Sequence, residues 1–332
     1  MNLRLPVAFA ITVFLITCCK NPEPAKPVVS AVIFDTDMGP DYDDVGAITM
    51  LHAFADEGSA EILATIASTK YDGVAEVLDV FNTYFNRPDV PVGVPSQNAS
   101  RLRDFQHWSD SVRKNYPHSI NGNNEAEDAV ALYRKILASQ PDTSVTIITV
   151  GFLTNIANLL KSSADKYSPL TGKELAGKKV KKLVSMAGKF PEGSEFNIKI
   201  DAPASQYVFE NFSRPVIFSG FEIGEKIKAG IALISNSSIK NSPVKDVFRI
   251  CIPLAKEDSA GRMSWDETAV LVGVKGHEPY YTLEEGKITI DTAGYNKWET
   301  TEKKHAHLVE KSSSRQVEEV INTLIMHQPV KK

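Results

Sequence analysis

Short apolar segments alternate with amphipathic segments along most of the chain. Four apolar runs are rich in Val and Ile and are predicted to be strands buried on both faces, namely 28–34, 61–67, 144–150 and 180–186. Apolar residues recur at helical spacing in other segments, namely 45–54, 74–85, 125–139, 154–160 and 201–209. Strands that alternate with helices are typical of βαβ units. The sequence therefore predicts one α/β domain over residues 31–328, with a mostly parallel, Rossmann-like central sheet flanked by helices.

Two regions depart from this alternation. Residues 280–307 have the pattern of a β-hairpin region, and a closing helix is predicted at 314–326. Residues 96–127 are polar and mixed, and a long segment of this kind commonly forms a lid or insertion beside a functional site.

The first seventeen residues have the pattern of a secretory signal peptide. Arg4 precedes an apolar run at 7–16 that is too short to span a bilayer as a mature helix. Residues 15–18 resemble a bacterial lipobox ending in Cys18, and residues 16–19 fit one ending in Cys19, so both cysteines remain candidates for lipidation. Residues 18–30 contain three prolines and are predicted to be an extended tether. We expect a lipid-anchored protein of the bacterial cell envelope, with an ordinary, later-cleaved signal peptide or a buried helix as the alternatives.

Composition excludes several other classes of protein. The chain has 37 Lys and Arg against 41 Asp and Glu, a formal net charge of -4, and thus lacks the basic footprint of a nucleic-acid-binding protein. Hydrophobic residues make up 42% of the sequence, which is typical of a folded domain and not of a disordered one. Its three cysteines form neither a disulfide framework nor a Cys-x-x-Cys metal motif.

Acidic residues are concentrated directly after the first predicted strand. Five carboxylates fall within ten residues: Asp35, Asp37, Asp41, Asp43 and Asp44. Ligands bind outside the carboxyl ends of strands in parallel-sheet enzymes, and Gly39 and Pro40 allow the loop to fold back so that its acids converge. Carboxylates held close together repel one another unless a cation or a proton offsets their charge. A hard divalent cation such as Ca²⁺, which favours carboxylate oxygens, is therefore expected here.

Four motifs in chain order resemble those of the inosine-uridine-preferring nucleoside hydrolases. They are Asp35-Thr36-Asp37-Met38-Gly39 followed by Asp43-Asp44, then Gly151-Phe152-Leu153-Thr154-Asn155-Ile156-Ala157, then Glu195-Phe196-Asn197 with Asp201-Ala202, and finally Trp265-Asp266-Glu267-Thr268-Ala269. The resemblance covers roughly residues 28–308 and implies a nucleoside-hydrolase-like fold. It also implies an enzyme of EC class 3.2.2 that splits ribonucleosides into ribose and free base, a step in nucleoside salvage. Relatives are often dimers or tetramers, so a homo-oligomer is one state open to the chain.

The resemblance implies a role for each matching residue. Calcium would be bound by Asp37, Asp44, the backbone carbonyl of Thr154, and Asp266. Asp37 would also be the base that activates a calcium-bound water. Ribose hydroxyls would be held by Asp43, Glu195, Asn197 and Asp266, and Trp265 would contact the substrate. These roles suit the chemistry, because N-ribosidic hydrolysis passes through an oxocarbenium-like state that surrounding carboxylates stabilise.

The chain departs from the family pattern in two places. Asp41 and Tyr42 lengthen the acidic loop, and Trp265 stands where many relatives have a histidine that protonates the leaving base. Because Trp is not a useful proton donor, we expect the base to stack on aromatic rings, with Tyr42, Tyr71, His107 and Trp108 as further candidates for that pocket.

Two alternative functions follow from these features. A chain without the acidic histidine could be a non-catalytic ribose- or nucleoside-binding lipoprotein. Residues 34–37 also resemble the Asp-x-Asp loop of haloacid-dehalogenase-like phosphatases, although Gly39 replaces the Thr or Val expected there.

Overall fold

The computed structural model describes residues 29–330. The predicted signal peptide, the candidate lipidated cysteines and most of the predicted tether lie outside the described residues. Within the described range, no helix combines the length and the apolar character needed to cross a membrane.

Thirteen strands are present in the described part of the chain. Their bounds are β1 (Ser30–Thr36), β2 (Ala60–Ala67), β3 (Val92–Val94), β4 (Glu127–Asp128), β5 (Val145–Thr149), β6 (Val180–Met186), β7 (Glu192–Ser194), β8 (Val216–Ser219), β9 (Lys228–Ala229), β10 (Arg262–Met263), β11 (Tyr281–Ile290), β12 (Tyr295–Glu299) and β13 (His305–Glu310).

The α-helices of residues 29–330 alternate with these strands. Their bounds are α1 (Asp43–Asp56), α2 (Val74–Tyr84), α3 (Trp108–Asn115), α4 (Ala129–Ser139), α5 (Thr154–Lys161), α6 (Gly172–Lys179), α7 (Phe196–Ile200), α8 (Ala202–Asn211), α9 (Phe221–Gly224), α10 (Ile231–Ser235), α11 (Pro243–Cys251), α12 (Trp265–Lys275) and α13 (Ser314–Leu324).

Eleven of the strands form one mixed sheet in the order β4-β3-β2-β1-β5-β6-β8-β13-β11-β12-β7. Every pairing from β4 to β13 is parallel, and the pairings of β11 with β13, β11 with β12 and β12 with β7 are antiparallel. The predicted α/β fold with a mostly parallel central sheet is therefore confirmed. The hairpin predicted at 280–307 corresponds to β11 and β12, and the closing helix to α13.

The centre of the sheet is buried on both faces. In β1, Val32 and Phe34 pack into one hydrophobic layer and Ile33 into the other, each with no exposed surface. This alternation explains the continuous apolar sequence of the strand, since a parallel strand covered by helices needs apolar residues on both sides. Because β1 lies between β2 and β5, its carboxyl end is at the middle of the sheet edge. The acidic loop is therefore held by a rigid scaffold.

Candidate active site

The loop that follows β1 is fixed by hydrogen bonds from the neighbouring chain. Met38 has a left-handed backbone, with φ of 41°, which turns the chain sharply after Asp37. The Tyr71 hydroxyl donates to the Met38 carbonyl at 2.7 Å, and the Thr69 hydroxyl donates to the Asp37 carbonyl at 3.0 Å. Gly151 lies against this turn, and a Cβ there would collide with the backbone nitrogen of Asp37. The position of Asp37 is thus set by two adjacent strand ends.

Asp44 lies beneath the loop in the first turn of α1. One of its carboxylate oxygens accepts hydrogen bonds from the Thr36 hydroxyl and from the Met38 backbone nitrogen, the latter at 3.1 Å. Its other oxygen is buried and has no hydrogen-bond partner. Burial, reinforced by the charge of Asp43, raises the pKa of Asp44 to about 6. An orphaned carboxylate oxygen in a buried site is the kind of group that a cation would satisfy.

Asp37 and Asp266 are far apart in the sequence but lie in the same cluster of carboxylates. Burial raises the pKa of Asp37 well above its usual value, and the adjacent charge of Asp44 raises it further. Asp266 is in the first turn of α12, and burial together with the charges of Asp43 and Asp44 raises its pKa as well. The loop acids and Asp266 are therefore close enough to repel one another in their ionised forms.

The donor chemistry of this cluster fits a hard divalent cation. Within residues 29–330, no group of three or more His, Cys, Asp and Glu side chains already has the arrangement of a metal site. The cluster nevertheless offers only oxygen ligands, carries mutually repelling carboxylates and contains the unpartnered oxygen of Asp44. Oxygen-only, carboxylate-rich sets are those that Ca²⁺ and Mg²⁺ prefer.

Glu195 and Asn197 approach the cavity from the turn between β7 and α7. Glu195 caps α7, because its carboxylate accepts from the backbone nitrogens of Asn197 at 2.7 Å, Ile198 at 3.1 Å and Gly188 at 3.1 Å. The Asn197 side-chain nitrogen donates to two backbone carbonyls, both at 3.0 Å. With its nitrogen committed in this way, the Asn197 side-chain oxygen is the atom that would accept from a ligand hydroxyl.

An aromatic wall stands beside these polar groups. Trp265 packs on Phe221 with ring centroids 5.2 Å apart, and its indole nitrogen donates to the Phe221 carbonyl at 2.8 Å. Gly224 allows this packing, since a Cβ at that position would contact the Trp265 ring and backbone. Phe196 and Met263 extend the apolar surface of the cavity.

These groups line one cavity of about 290 Å³, near the lower end of the range for small-molecule sites. Its lining residues are Asp37, Asp41, Asp43, Val150, Met186, Glu195, Phe196, Asn197, Phe221, Glu257, Arg262, Met263, Trp265 and Asp266. Six of the eight site residues predicted from the sequence are thereby brought together, namely Asp37, Asp43, Glu195, Asn197, Trp265 and Asp266. Asp44 lies below the cavity, and Thr154 is not among its lining residues. The Thr154 hydroxyl donates to Asp201.

Four aromatic-pocket candidates do not line this cavity. Tyr71 and Trp108 are buried and bond to the backbone of the acidic loop, the Trp108 indole donating to the Asp41 carbonyl at 3.0 Å. His107 has a side chain that is 69% exposed. The ring of Tyr42 is covered by the guanidinium group of Arg262. The prediction that these four residues line the base pocket is therefore wrong. The aromatic wall of the cavity is formed by Trp265 and Phe221.

Sequence reasoning missed Arg262, which lines the cavity as a buried cation. Its guanidinium donates to Asp43 and forms an ion pair with Asp41. It stands three residues before Trp265, and that proximity to a recognised motif was the only local signal. Phe221 was missed as an aromatic of the site, although residues 218–224 have the Gly-rich pattern of a strand-end turn.

Comparison with known proteins identifies the family. The family model described as inosine-uridine preferring nucleoside hydrolase matches residues 32–323. The chain belongs to this family. The predictions of a nucleoside-hydrolase-type enzyme and of a nucleoside-hydrolase-like fold are thereby confirmed, and the phosphatase alternative is not supported.

Two relatives of this nucleoside hydrolase are the pyrimidine-specific ribonucleoside hydrolases RihA of Salmonella schwarzengrund (strain CVM19633) and Salmonella agona (strain SL483). They are 25% identical to the chain over 259 and 260 residues, which cover 75% of this chain and 76% of each relative. Solved structures of a plant nucleoside hydrolase, the PpNRh1 enzyme, and of a purine-preferring ribonucleoside hydrolase from Gardnerella vaginalis are also similar. Both have a TM-score of 0.67 and cover 90% of this chain and 99% of the other, at 17% and 18% identity. At this level of sequence identity, the two structural similarities show only that the fold is shared.

Proposed function

We propose that this nucleoside hydrolase cleaves the N-glycosidic bond of ribonucleosides to give ribose and free base. The observation that carries the proposal is the single cavity in which Asp37 and Asp266 meet Glu195 and Asn197 beside an aromatic wall. Polar groups suited to sugar hydroxyls and flat apolar groups suited to a base are the two halves of a nucleoside site.

Asp37 is the residue placed to activate water. Its burial among other carboxylates raises its pKa, so that it is a stronger base than a solvated aspartate. Asp43, Asp266, Glu195 and Asn197 accept hydrogen bonds from the ribose hydroxyls. The negative charges of the three carboxylates favour the positive charge that develops on the ribose ring as the bond breaks.

Calcium is the cofactor that we propose for the carboxylate cluster. Asp37, Asp44, Asp266 and the Thr154 carbonyl would hold it, which would remove the repulsion within the cluster and satisfy the orphaned oxygen of Asp44. When bound, the ion would supply a positive charge that makes water a better acid.

Trp265 contacts the departing base and does not protonate it. Its indole nitrogen is committed to the Phe221 carbonyl, and indole is not an acid at physiological pH. A flat base against the Trp265 and Phe221 rings gains stacking contact, which also excludes water from the breaking bond. For the whole protein, we propose a lipid anchor at Cys18 or Cys19 that holds this domain in the cell envelope.

The test is a panel of ribonucleosides incubated with the purified residues 29–332 and calcium, with reducing sugar as the readout. We expect release from at least one nucleoside, and a loss of about 10²- to 10³-fold or more in Asp37→Asn. An Asp72→Asn variant, in which an exposed aspartate outside the cluster is changed, is the matched control and should keep full activity.

A second outcome would favour the non-catalytic alternative. This alternative is supported by Trp265, which stands where many relatives have a proton-donating histidine. Calorimetry that shows tight nucleoside binding, together with no sugar release from the whole panel, would replace the hydrolase proposal with a nucleoside-binding function.

A further inference from the structure

Arg262 is a buried guanidinium in the wall of the cavity, with a side chain that is 8% exposed. Its Nε and Nη2 atoms donate to the same oxygen of Asp43, Oδ1, at 3.0 Å and 2.8 Å. Nη2 also forms an ion pair with Asp41, and Nη1 is 3.8 Å from Asp258. A buried cation with three acidic neighbours is held in one orientation, since each contact would be lost by rotation.

The two extra residues of the acidic loop build the socket for this guanidinium. Asp41 supplies the ion pair, and the Tyr42 ring lies 5.1 Å from the guanidinium carbon. The Trp265 ring lies at the same distance, 5.1 Å. The Tyr42 hydroxyl in turn donates to Asp258 at 2.6 Å. The lengthened loop and Arg262 therefore form one unit, which we call the arginine clamp (Asp41, Tyr42, Asp258 and Arg262).

The clamp determines which oxygen of Asp43 remains available. Both guanidinium hydrogen bonds go to Oδ1, while Oδ2 accepts only a long bond, 3.4 Å, from the backbone nitrogen of Asp266. A carboxylate oxygen has two lone pairs, so Oδ1 is saturated and Oδ2 keeps one acceptor position. Without the guanidinium, Asp43 would be a buried carboxylate among like charges, and only the long bond from the Asp266 backbone nitrogen would hold this rotamer.

We propose that Arg262 is a positioning residue that fixes Asp43 so that its Oδ2 atom accepts a ribose hydroxyl, and that it thereby sets the preference for ribose over deoxyribose. This inference rests on the proposed function, in which Asp43 holds the sugar. Arg262 acts through Asp43 and touches neither the scissile bond nor the attacking water in this account.

The proposed role of the arginine clamp is tested with the variants Arg262→Met and Arg262→Lys. Their kcat and KM are measured for a ribonucleoside that the wild type cleaves and for its 2′-deoxy and 3′-deoxy counterparts. Arg262→Met should lower kcat/KM for the ribonucleoside by at least tenfold and lower it less for one deoxy counterpart, so that the preference shrinks. Arg262→Lys keeps the charge but cannot place two nitrogens on one oxygen, and should not restore the preference. Arg249→Met, at an exposed arginine of α11, is the control and should match the wild type.

An unchanged ratio of ribonucleoside to deoxynucleoside rates in both Arg262 variants would overturn the inference, because a merely structural arginine would lower all rates alike. Full activity and preference in Arg262→Met would overturn it as well. If the wild type cleaves no nucleoside, the proposed function itself has failed. Calorimetric titration of wild type and Arg262→Met with ribose and 2-deoxyribose then tests separately whether the clamp sets the preference for ribose. A ribose preference lost in Arg262→Met supports it, and equal preference in both proteins rejects it.

Discussion

Replacing Asp266 with asparagine should change the stability of the domain in opposite directions in the absence and presence of calcium. In the metal-free protein, burial raises the pKa of Asp266, and the charges of Asp43 and Asp44 raise it further. Like charges about 5 Å apart at an effective dielectric of about 20 repel each other by about 3 kcal/mol. Loss of an acid from the first turn of α12 costs about 0.3–1 kcal/mol. The variant should therefore gain about 2 kcal/mol at pH 7 without metal.

The size of this gain in stability decreases as the pH falls. Because the folded pKa of Asp266 is raised, its cost to stability is present when the unfolded carboxyl is ionised and disappears as pH falls below the ordinary value of 3.8. The gain from Asp266→Asn should accordingly be present at pH 7 and vanish near pH 3.

Calcium should reverse the order of stability. A ligand at about a thousand times its dissociation constant stabilises the folded state by about 4 kcal/mol. Asp266→Asn removes a charged ligand from the proposed site, so most of that increment should be lost. Thermal unfolding followed by circular dichroism, with a chelator and then with excess calcium, measures both effects. Asp89→Asn, at an exposed aspartate before β3, should follow the wild type in both conditions. Equal calcium increments in Asp266→Asn and the wild type would refute the reasoning.

Three further predictions follow from other contacts. Glu195→Gln should lower kcat/KM by about 10²- to 10³-fold and destabilise the domain by about 1–3 kcal/mol in chemical denaturation, because one amide group would face backbone donors on α7. Gly151→Ala should lower activity by about 10²-fold, since its Cβ would displace Asp37. Burial lowers the pKa of His305 to about 4, so the unfolded chain binds more protons between pH 4 and 6.5. About 3 kcal/mol of stability should be lost as pH falls through that window, and His305→Gln should flatten the profile.

Exposed counterparts provide the controls for these changes. Glu192→Gln on β7 and His107→Gln before α3 should leave activity and the acid stability profile unchanged. Wild-type activity in Glu195→Gln or Gly151→Ala would contradict the placement of those residues, and an unaltered acid profile in His305→Gln would contradict its buried neutral state.

The parts of the fold with local sequence signals were predicted well. The first strand was expected at 28–34 and is observed at Ser30–Thr36, because a strand covered on both faces needs a continuous apolar run. The acids that follow it were recognisable for the same reason, since a buried strand must end in a loop at the sheet edge. Helix α11 was not predicted, although Ser242 caps it and Val244, Val247, Phe248 and Cys251 recur at helical spacing. That signal was present in the sequence and was overlooked.

The parts that depend on distant contacts could not be read from the sequence. Arg262 contacts Asp43 across 219 positions of the chain, and only its proximity to Trp265 distinguishes it locally from a surface arginine. Glu195 was expected to bind ribose, but its carboxylate also accepts from the backbone nitrogen of Gly188, a contact that depends on how the chain turns before β7. Tyr42 was expected in the base pocket, and the guanidinium that covers its ring explains why it is not there.

The most direct test of the account is a crystal structure of the domain soaked with calcium and ribose. We predict one ion with oxygen ligands from Asp37, Asp44, Asp266 and the Thr154 carbonyl at about 2.3–2.6 Å, and a ribose whose hydroxyls contact both the ion and Asp43. A ribose bound in the cavity without an ion, or a calcium ion held elsewhere while the carboxylates remain protonated, would contradict the central claim.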